Sequence, residues 1–107
     1  CGHPVPLIST SDGVSEVVCV QSVPLGLGVD PVITGGTLTP GDRLLLYTDG
    51  LIEARDSSGR FIDLTRVTES LSHAPLNEVL DDVLRALDVA TGGLLNDDLA
   101  LLVAEYR

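Results

Sequence analysis

Two aspartates carry most of the chemistry that this sequence can offer. Asp49 precedes Gly50 and ends an apolar run, Leu44-Leu45-Leu46-Tyr47-Thr48, while Asn96-Asp97-Asp98 opens a second run, Leu99-Ala100-Leu101-Leu102-Val103. Carboxylates are hard oxygen donors suited to Mg²⁺ and Mn²⁺, which usually retain several waters and leave positions open. A strand packed on both faces fixes its terminal side chain better than a loop does. Gly50, without a Cβ, lets the chain turn sharply and lets an ion with its water shell come close. Taken singly, Asp-Gly and Asn-Asp-Asp are also ordinary turn chemistry, and at this level both readings stand. The sequence spells out no other site: there is no Cys/His zinc spacing, no P-loop and no Gly-x-Ser-x-Gly nucleophile turn.

The remaining titratable groups read more plainly. Asp81 and Asp82 lie opposite an apolar helical stripe and belong to a solvated face rather than a ligand set. His73 falls in a polar connection and reads as a surface residue. Cys1 and Cys19 have no CxxC spacing; they read as small apolar side chains in a reducing compartment, with a disulfide left open.

The elements that must position the aspartates follow from periodicity and turn signals. Pro4-Val5-Pro6-Leu7-Ile8 is extended, because each proline biases its predecessor toward β geometry. Ser11-Asp12-Gly13 is a turn, and the β-branched stretch 14–20 is the second arm of a hairpin. Residues 24–28 form a glycine-rich loop, and 32–38 a short strand with a bend at Gly35-Gly36. Thr39-Pro40-Gly41-Asp42 reverses the chain into a strand at 43–48, whose apolar run suits burial on both faces. A polar turn at Asp56-Ser57-Ser58-Gly59 leads to a helix capped by Asp63 or Thr65 and reaching about Leu71. The clearest helix spans about 75–90: Leu76, Val79, Leu80, Val83, Leu84 and Leu87 form one stripe, Pro75 suits its first turn, and Gly92-Gly93 its stop. Residues 99–105 form the last strand.

Composition bounds the rest. The 107 residues suffice for one small domain. With 44% hydrophobic residues but only two Tyr, one Phe and no Trp, the core must be built from Leu, Val and Ala. A net charge of −10 would repel phosphate backbones and anionic lipid, which argues against nucleic acid or a membrane surface as partner. The same charge suits divalent cations, and it also serves solubility. No apolar run approaches the roughly 18–20 residues that span a bilayer, and no signal-peptide pattern opens the chain, so a cytoplasmic location is expected. The chain begins Cys-Gly-His-Pro and contains no Met, which suggests part of a longer protein.

An ordered set of motifs goes further. Gly2-His3-Pro4-Val5-Pro6-Leu7, Pro24-Leu25-Gly26, Pro40-Gly41-Asp42, the run from Leu44 through Thr48-Asp49-Gly50 to Leu51-Ile52-Glu53-Ala54-Arg55, and the closing Asn96-Asp97-Asp98 segment occur in that order. With these the chain resembles, over nearly its whole length, the metal-dependent protein phosphatases (the PPM family), in the bacterial branch typified by sporulation stage II protein E. The resemblance implies an α+β fold, part of a four-layer α-β-β-α sandwich with mainly antiparallel sheets. Residues 1–107 would be the C-terminal portion of a single phosphatase domain, supplying about five strands and the helices of one or both outer layers.

It also implies chemistry: hydrolysis of phosphoserine or phosphothreonine on a regulatory protein, such as an anti-sigma-factor antagonist. A water activated between two Mn²⁺ or Mg²⁺ ions attacks, so that no side chain serves as nucleophile. By the same resemblance Asp49 and Asp97 are metal ligands, Gly50 serves the backbone beside a ligand, and Asp98 supports the site through hydrogen bonds. Glu53 and Arg55 belong to the motif as structural residues, and His3 is packed or hydrogen-bonded rather than a general acid. One departure is large. Family members carry an earlier Asp-Gly whose aspartate bridges both ions, and Asp12-Gly13, in a hairpin turn after Gly-His-Pro, comes in the wrong order. The isolated chain is therefore expected to be inactive, with exposed sheet edges that leave self-association open. A catalytically silent interaction or signalling module of the same family is the alternative.

Overall fold

The apolar run at 43–47 becomes an interior strand of an antiparallel sheet. The computed structural model describes residues 4–17, 26–28, 30, 33, 35–93 and 98–107. Among these, β1 (Leu7–Thr10), β2 (Gly13–Glu16), β3 (Arg43–Tyr47) and β4 (Leu101–Glu105) form one sheet in the order β2-β1-β3-β4. The β1–β2 hairpin turns at Ser11-Asp12, with Gly13 at φ 113°, a backbone conformation that glycine adopts without strain. β3 pairs with β1 through Leu7↔Leu45 and with β4 through Leu45↔Val103. The turn at Pro40-Gly41 is closed by Asp42, whose carboxylate accepts from the Thr39 N–H and hydroxyl at 2.9 and 3.1 Å.

Helical segments cover one face of this sheet. α1 (Asp49–Ile52) follows β3 directly, and α2 (Leu64–Val67) leads through a 3₁₀ turn (Glu69–Ser72) to α3 (Leu76–Thr91). Between α1 and α2, a tight turn at 56–60 is held by the Asp56 carboxylate, which accepts from the Ser58 and Arg60 N–H groups. Of the two candidate caps for α2, Asp63 is the one used: it accepts from the Thr65 N–H and hydroxyl. The helix expected to reach Leu71 instead ends at Val67 and tightens, as the Thr68 hydroxyl bonds the Leu64 carbonyl at 2.6 Å. α3 stops where glycine predicts it: Gly92 is left-handed, and the Gly92 and Gly93 N–H groups bond the Val89 and Asp88 carbonyls. Pro75 stands one place outside the helix as its cap rather than in its first turn.

The core lies between sheet and helices. Leu7, Leu45 and Tyr47 from the sheet meet Leu51, Ala54, Leu71, Ala74, Val79, Val83 and Leu87. The stripe of α3 is narrower than its sequence suggests. Val79, Val83 and Leu87 are buried, while Leu80 and Leu84, one position further round the helix, are exposed. At the far end, the Arg43 guanidinium ties sheet to helices: it donates to Glu105 at 2.9 Å and to the Leu71 and Ala74 carbonyls at 3.2 and 2.5 Å.

Three expectations need correction. β3 is covered on one face only: Leu45 and Tyr47 are buried, but Leu46 is 38% exposed and its partner Leu102 59%. The apolar run reflects two hydrophobic faces, and the helices take one of them. Within the stretch 32–38, the described residues Ile33 and Gly35–Leu38 form no strand; Ile33 is 92% exposed, and the two glycines contribute no side chain to a pleated surface. The sheet therefore has four strands among the described residues, where about five were expected, and the helices form one layer. Val18, Cys19 and Val20 of the hairpin arm, Pro24 and Leu25 of the glycine loop, and Cys1, Gly2 and His3 lie outside the described residues. One sheet with one helical layer is part of the α-β-β-α sandwich, with the second apolar sheet face left open.

Hydrogen bonds from Arg43 and Arg107 hold the Glu105 carboxyl below the usual carboxylate range. A depressed pKa in the folded state contributes stability above the unfolded value and loses it as pH falls through the folded one. Urea titrations should therefore show the stability gap between wild type and Glu105→Gln greatest near neutrality and closing as the medium is made more acidic than the ordinary carboxylate range. A gap independent of pH would contradict the pairing.

Candidate metal centre

The two acidic motifs meet at one end of the β3–β4 pair. The register that matches Tyr47 with Leu101 puts Thr48 beside Ala100 and carries on toward Gly50 and Asp98. Thr48 donates its N–H to the Ala100 carbonyl at 3.2 Å, and the Ala100 N–H donates to Thr48 Oγ1 at 3.0 Å. Beyond this point the chain coils into α1, begun by the Leu51 N–H on the Thr48 carbonyl at 3.1 Å and the Glu53 N–H on the Asp49 carbonyl at 2.9 Å.

Gly50 is buried in this junction, and its role differs from the one read in the sequence. It sits in α1 without a positive φ, so no sharp turn demands it. What demands it is space: a Cβ there would stand 2.3 Å from the Asp98 carbonyl oxygen and 3.1 Å from its carbon. The missing side chain makes room for the peptide group of the second acidic motif. Asp49, the first residue of α1, is exposed, as is Asp98. Asp97 lies outside the described residues, along with Asn96.

The neighbouring motif residues support this end of the sheet. Tyr47 is buried, and its hydroxyl donates to the Val5 carbonyl, anchoring the Pro4–Pro6 segment to β3. Burial, with the Glu16 charge behind it, pushes the Tyr47 phenol up from its ordinary pKa, so it stays a neutral donor. Arg55 stacks over the Phe61 ring at 4.0 Å and donates to the Gly59 carbonyl at 2.9 Å, so its guanidinium is engaged within the 55–61 turn. His73 is exposed at the end of the 3₁₀ turn. Asp81 is exposed and Asp82 pairs with Arg85 at 3.0 Å, on the solvated side of α3.

Chemically, the junction offers hard oxygen donors and little else. An exposed carboxylate at the end of an interior strand, with the backbone of a second acidic segment packed against its glycine neighbour, fits one side of a divalent-cation site. Among the described residues, no three or more His, Cys, Asp or Glu side chains gather as a metal cluster. The sequence singles out the aspartates as candidates but not the Thr48 hydroxyl. The signal was present as a threonine at a strand-to-helix junction, a position usually read only as a helix cap.

Comparisons with known proteins agree with this architecture. The family model described as Stage II sporulation protein E (SpoIIE) matches residues 1–107. A structure of the RsbU and RsbW domains of Rv1364c from Mycobacterium tuberculosis is 34% identical, with a TM-score of 0.77 over 99% of this chain and 30% of that one. The phosphatase domain of the cell fate determinant SpoIIE from Bacillus subtilis superposes with a TM-score of 0.71 at 20% identity, over 98% of this chain and 47% of that one. Protein IcfG of Synechocystis sp. is 27% identical over 110 residues, 99% of this chain and 17% of that protein. The chain thus spans less than half the length of these relatives.

The junction makes a sharp prediction. Gly50→Ala should lower stability by about 1–3 kcal/mol, the usual cost of forcing extra volume into a packed site, because backbone on both sides must give way. Equilibrium unfolding measures it, and an unchanged midpoint would show that the two motifs are not in contact. With its motifs in order, its sheet and helical layer in place and the family model matched from end to end, the chain belongs to the SpoIIE family of PPM-type phosphatase domains.

Proposed function

We propose that the complete domain, of which residues 1–107 form the C-terminal portion, hydrolyses phosphoserine or phosphothreonine on a regulatory protein, with Asp49 and Asp97 as metal-holding carboxylates. The observation that carries this reading is the packing of Gly50 on the Asp98 carbonyl. It supports a single acidic end of the sheet, to which both motifs contribute. Two Mn²⁺ or Mg²⁺ ions would supply an activated water and offset charge on the phosphoryl group.

This chain's part is to position. β3 leads into Asp49 at the mouth of the sheet, and Asp98, whose carbonyl packs on Gly50 ahead of β4, would be the supporting residue. Gly50 keeps the two segments at contact distance. Arg55 and Tyr47 brace the neighbouring turn and the Pro4–Pro6 segment, and no side chain of the chain is asked to attack phosphorus. A phosphorylated anti-sigma-factor antagonist is the substrate we favour, on family membership alone. A cytoplasmic setting accords with the described residues, in which no helix is long and apolar enough to cross a membrane.

In the full-length protein containing this sequence, Asp49→Asn and Asp97→Asn should each reduce Mn²⁺-dependent turnover of a phosphoserine peptide beyond the roughly 10–100-fold cost of losing an outer-shell partner. Circular dichroism should show both variants folded. The 107 residues alone should show neither tight Mn²⁺ binding nor turnover. Wild-type rates in both variants would remove the ligand assignment, whereas a full-length wild type without Mn²⁺-dependent turnover would favour the silent-module alternative.

A further inference from the structure

We propose that Thr48 is a positioning residue for the metal-holding carboxylates, its hydroxyl standing in for a main-chain carbonyl in the β3–β4 ladder. The proposal rests on the reading of Asp49 and Asp97 as ligands. Thr48 and Ala100 form the next pair after Tyr47↔Leu101. Hydrogen-bonded partners in an antiparallel ladder exchange two bonds, each N–H reaching the other's carbonyl. The first is made, from the Thr48 N–H to the Ala100 carbonyl at 3.2 Å. The second is not available in that form, because the Thr48 carbonyl has turned to accept the Leu51 N–H at 3.1 Å and open α1. The Ala100 N–H goes instead to Thr48 Oγ1 at 3.0 Å.

Thr48 therefore serves two structures at once. A threonine preceding a helix commonly turns its hydroxyl onto that helix's free N–H groups. Here it occupies that position, with φ −92° and ψ 171°, and makes no such bond. The hydroxyl is diverted to the strand opposite. The chain can then begin a helix at Asp49 without releasing β4, and the contact continues to Gly50 against Asp98. An oxygen on Cβ is the requirement. Serine has it, while valine matches threonine in shape without it and alanine lacks it altogether.

The test uses the full-length protein and three readouts: Mn²⁺ affinity by titration calorimetry, KM against kcat on a phosphoserine peptide, and hydrogen exchange of the Ala100 amide in metal-free protein. Thr48→Val should weaken Mn²⁺ binding about 10-fold and lower kcat more than it raises KM, as expected when a partner that orients a ligand is lost. It should also speed Ala100 exchange. Thr48→Ala should behave alike and covers the case in which the valine variant does not fold. Thr48→Ser should stay within about threefold of wild type, since it keeps the oxygen. Wild-type Mn²⁺ affinity in both Thr48→Val and Thr48→Ala, or a serine variant as impaired as the valine one, overturns the proposal. Asp49→Asn separates the two layers. If it too binds Mn²⁺ like wild type, the ligand reading falls and Thr48 with it; if it alone loses binding, only the role of Thr48 falls.

Discussion

The close approach of Gly50 to the Asp98 carbonyl is the constraint on which the acidic end of this sheet depends. Two chain segments nearly fifty residues apart can be that near only if one of them has no side chain at the point of contact. The Thr48–Ala100 pair sets the register one step earlier, so the approach is reached at the end of a hydrogen-bonded ladder rather than by chance. The rest of the chain serves that ladder. Leu7, Leu45 and Tyr47 press the sheet onto the helices, and Arg43 clamps the opposite end through Glu105 and the Leu71 and Ala74 carbonyls.

A division of labour along β3 follows. Its alternate residues Arg43, Leu45 and Tyr47 face the helical layer and supply cohesion. Leu44 and Leu46 face the other way, where Leu46 and Leu102 form an exposed apolar pair. In an α-β-β-α sandwich that open face is the one a second sheet covers. The end of the strand is given to neither layer: there the chain coils at once into a helix and presents a carboxylate to solvent. Cohesion thus lies within the five-residue strand, and the exposed carboxylate lies just beyond its end, at the start of α1.

Much of this was legible in the sequence because it is written in local signals. The stop of α3 at Gly92-Gly93, the Asp63 cap, the 56–60 turn and the β1–β2 hairpin each follow from residues within a few positions of one another. What local signals could not show is which neighbour takes up a given side chain. Leu80 and Leu84 belong to the apolar pattern of α3, yet of that stripe only Val79, Val83 and Leu87 are buried. Gly50 looked like a turn residue because Asp-Gly often is one, whereas its reason lies across the sheet in Asp98. The Thr48 hydroxyl was missed for the same cause, since its partner Ala100 is 52 residues away. The motifs named the acidic residues, and the long-range pairing explains why the residues between them are what they are.

The most direct measurement is an anomalous-scattering map of Mn²⁺ in crystals of the full-length protein. Peaks should lie within coordination distance of carboxylate oxygens of Asp49 and Asp97, at the mouth of the β3–β4 pair, as the oxygen preference of hard cations requires. Manganese bound elsewhere, with the Asp49 carboxylate directed away from it, would contradict the placement of the metal centre at this junction.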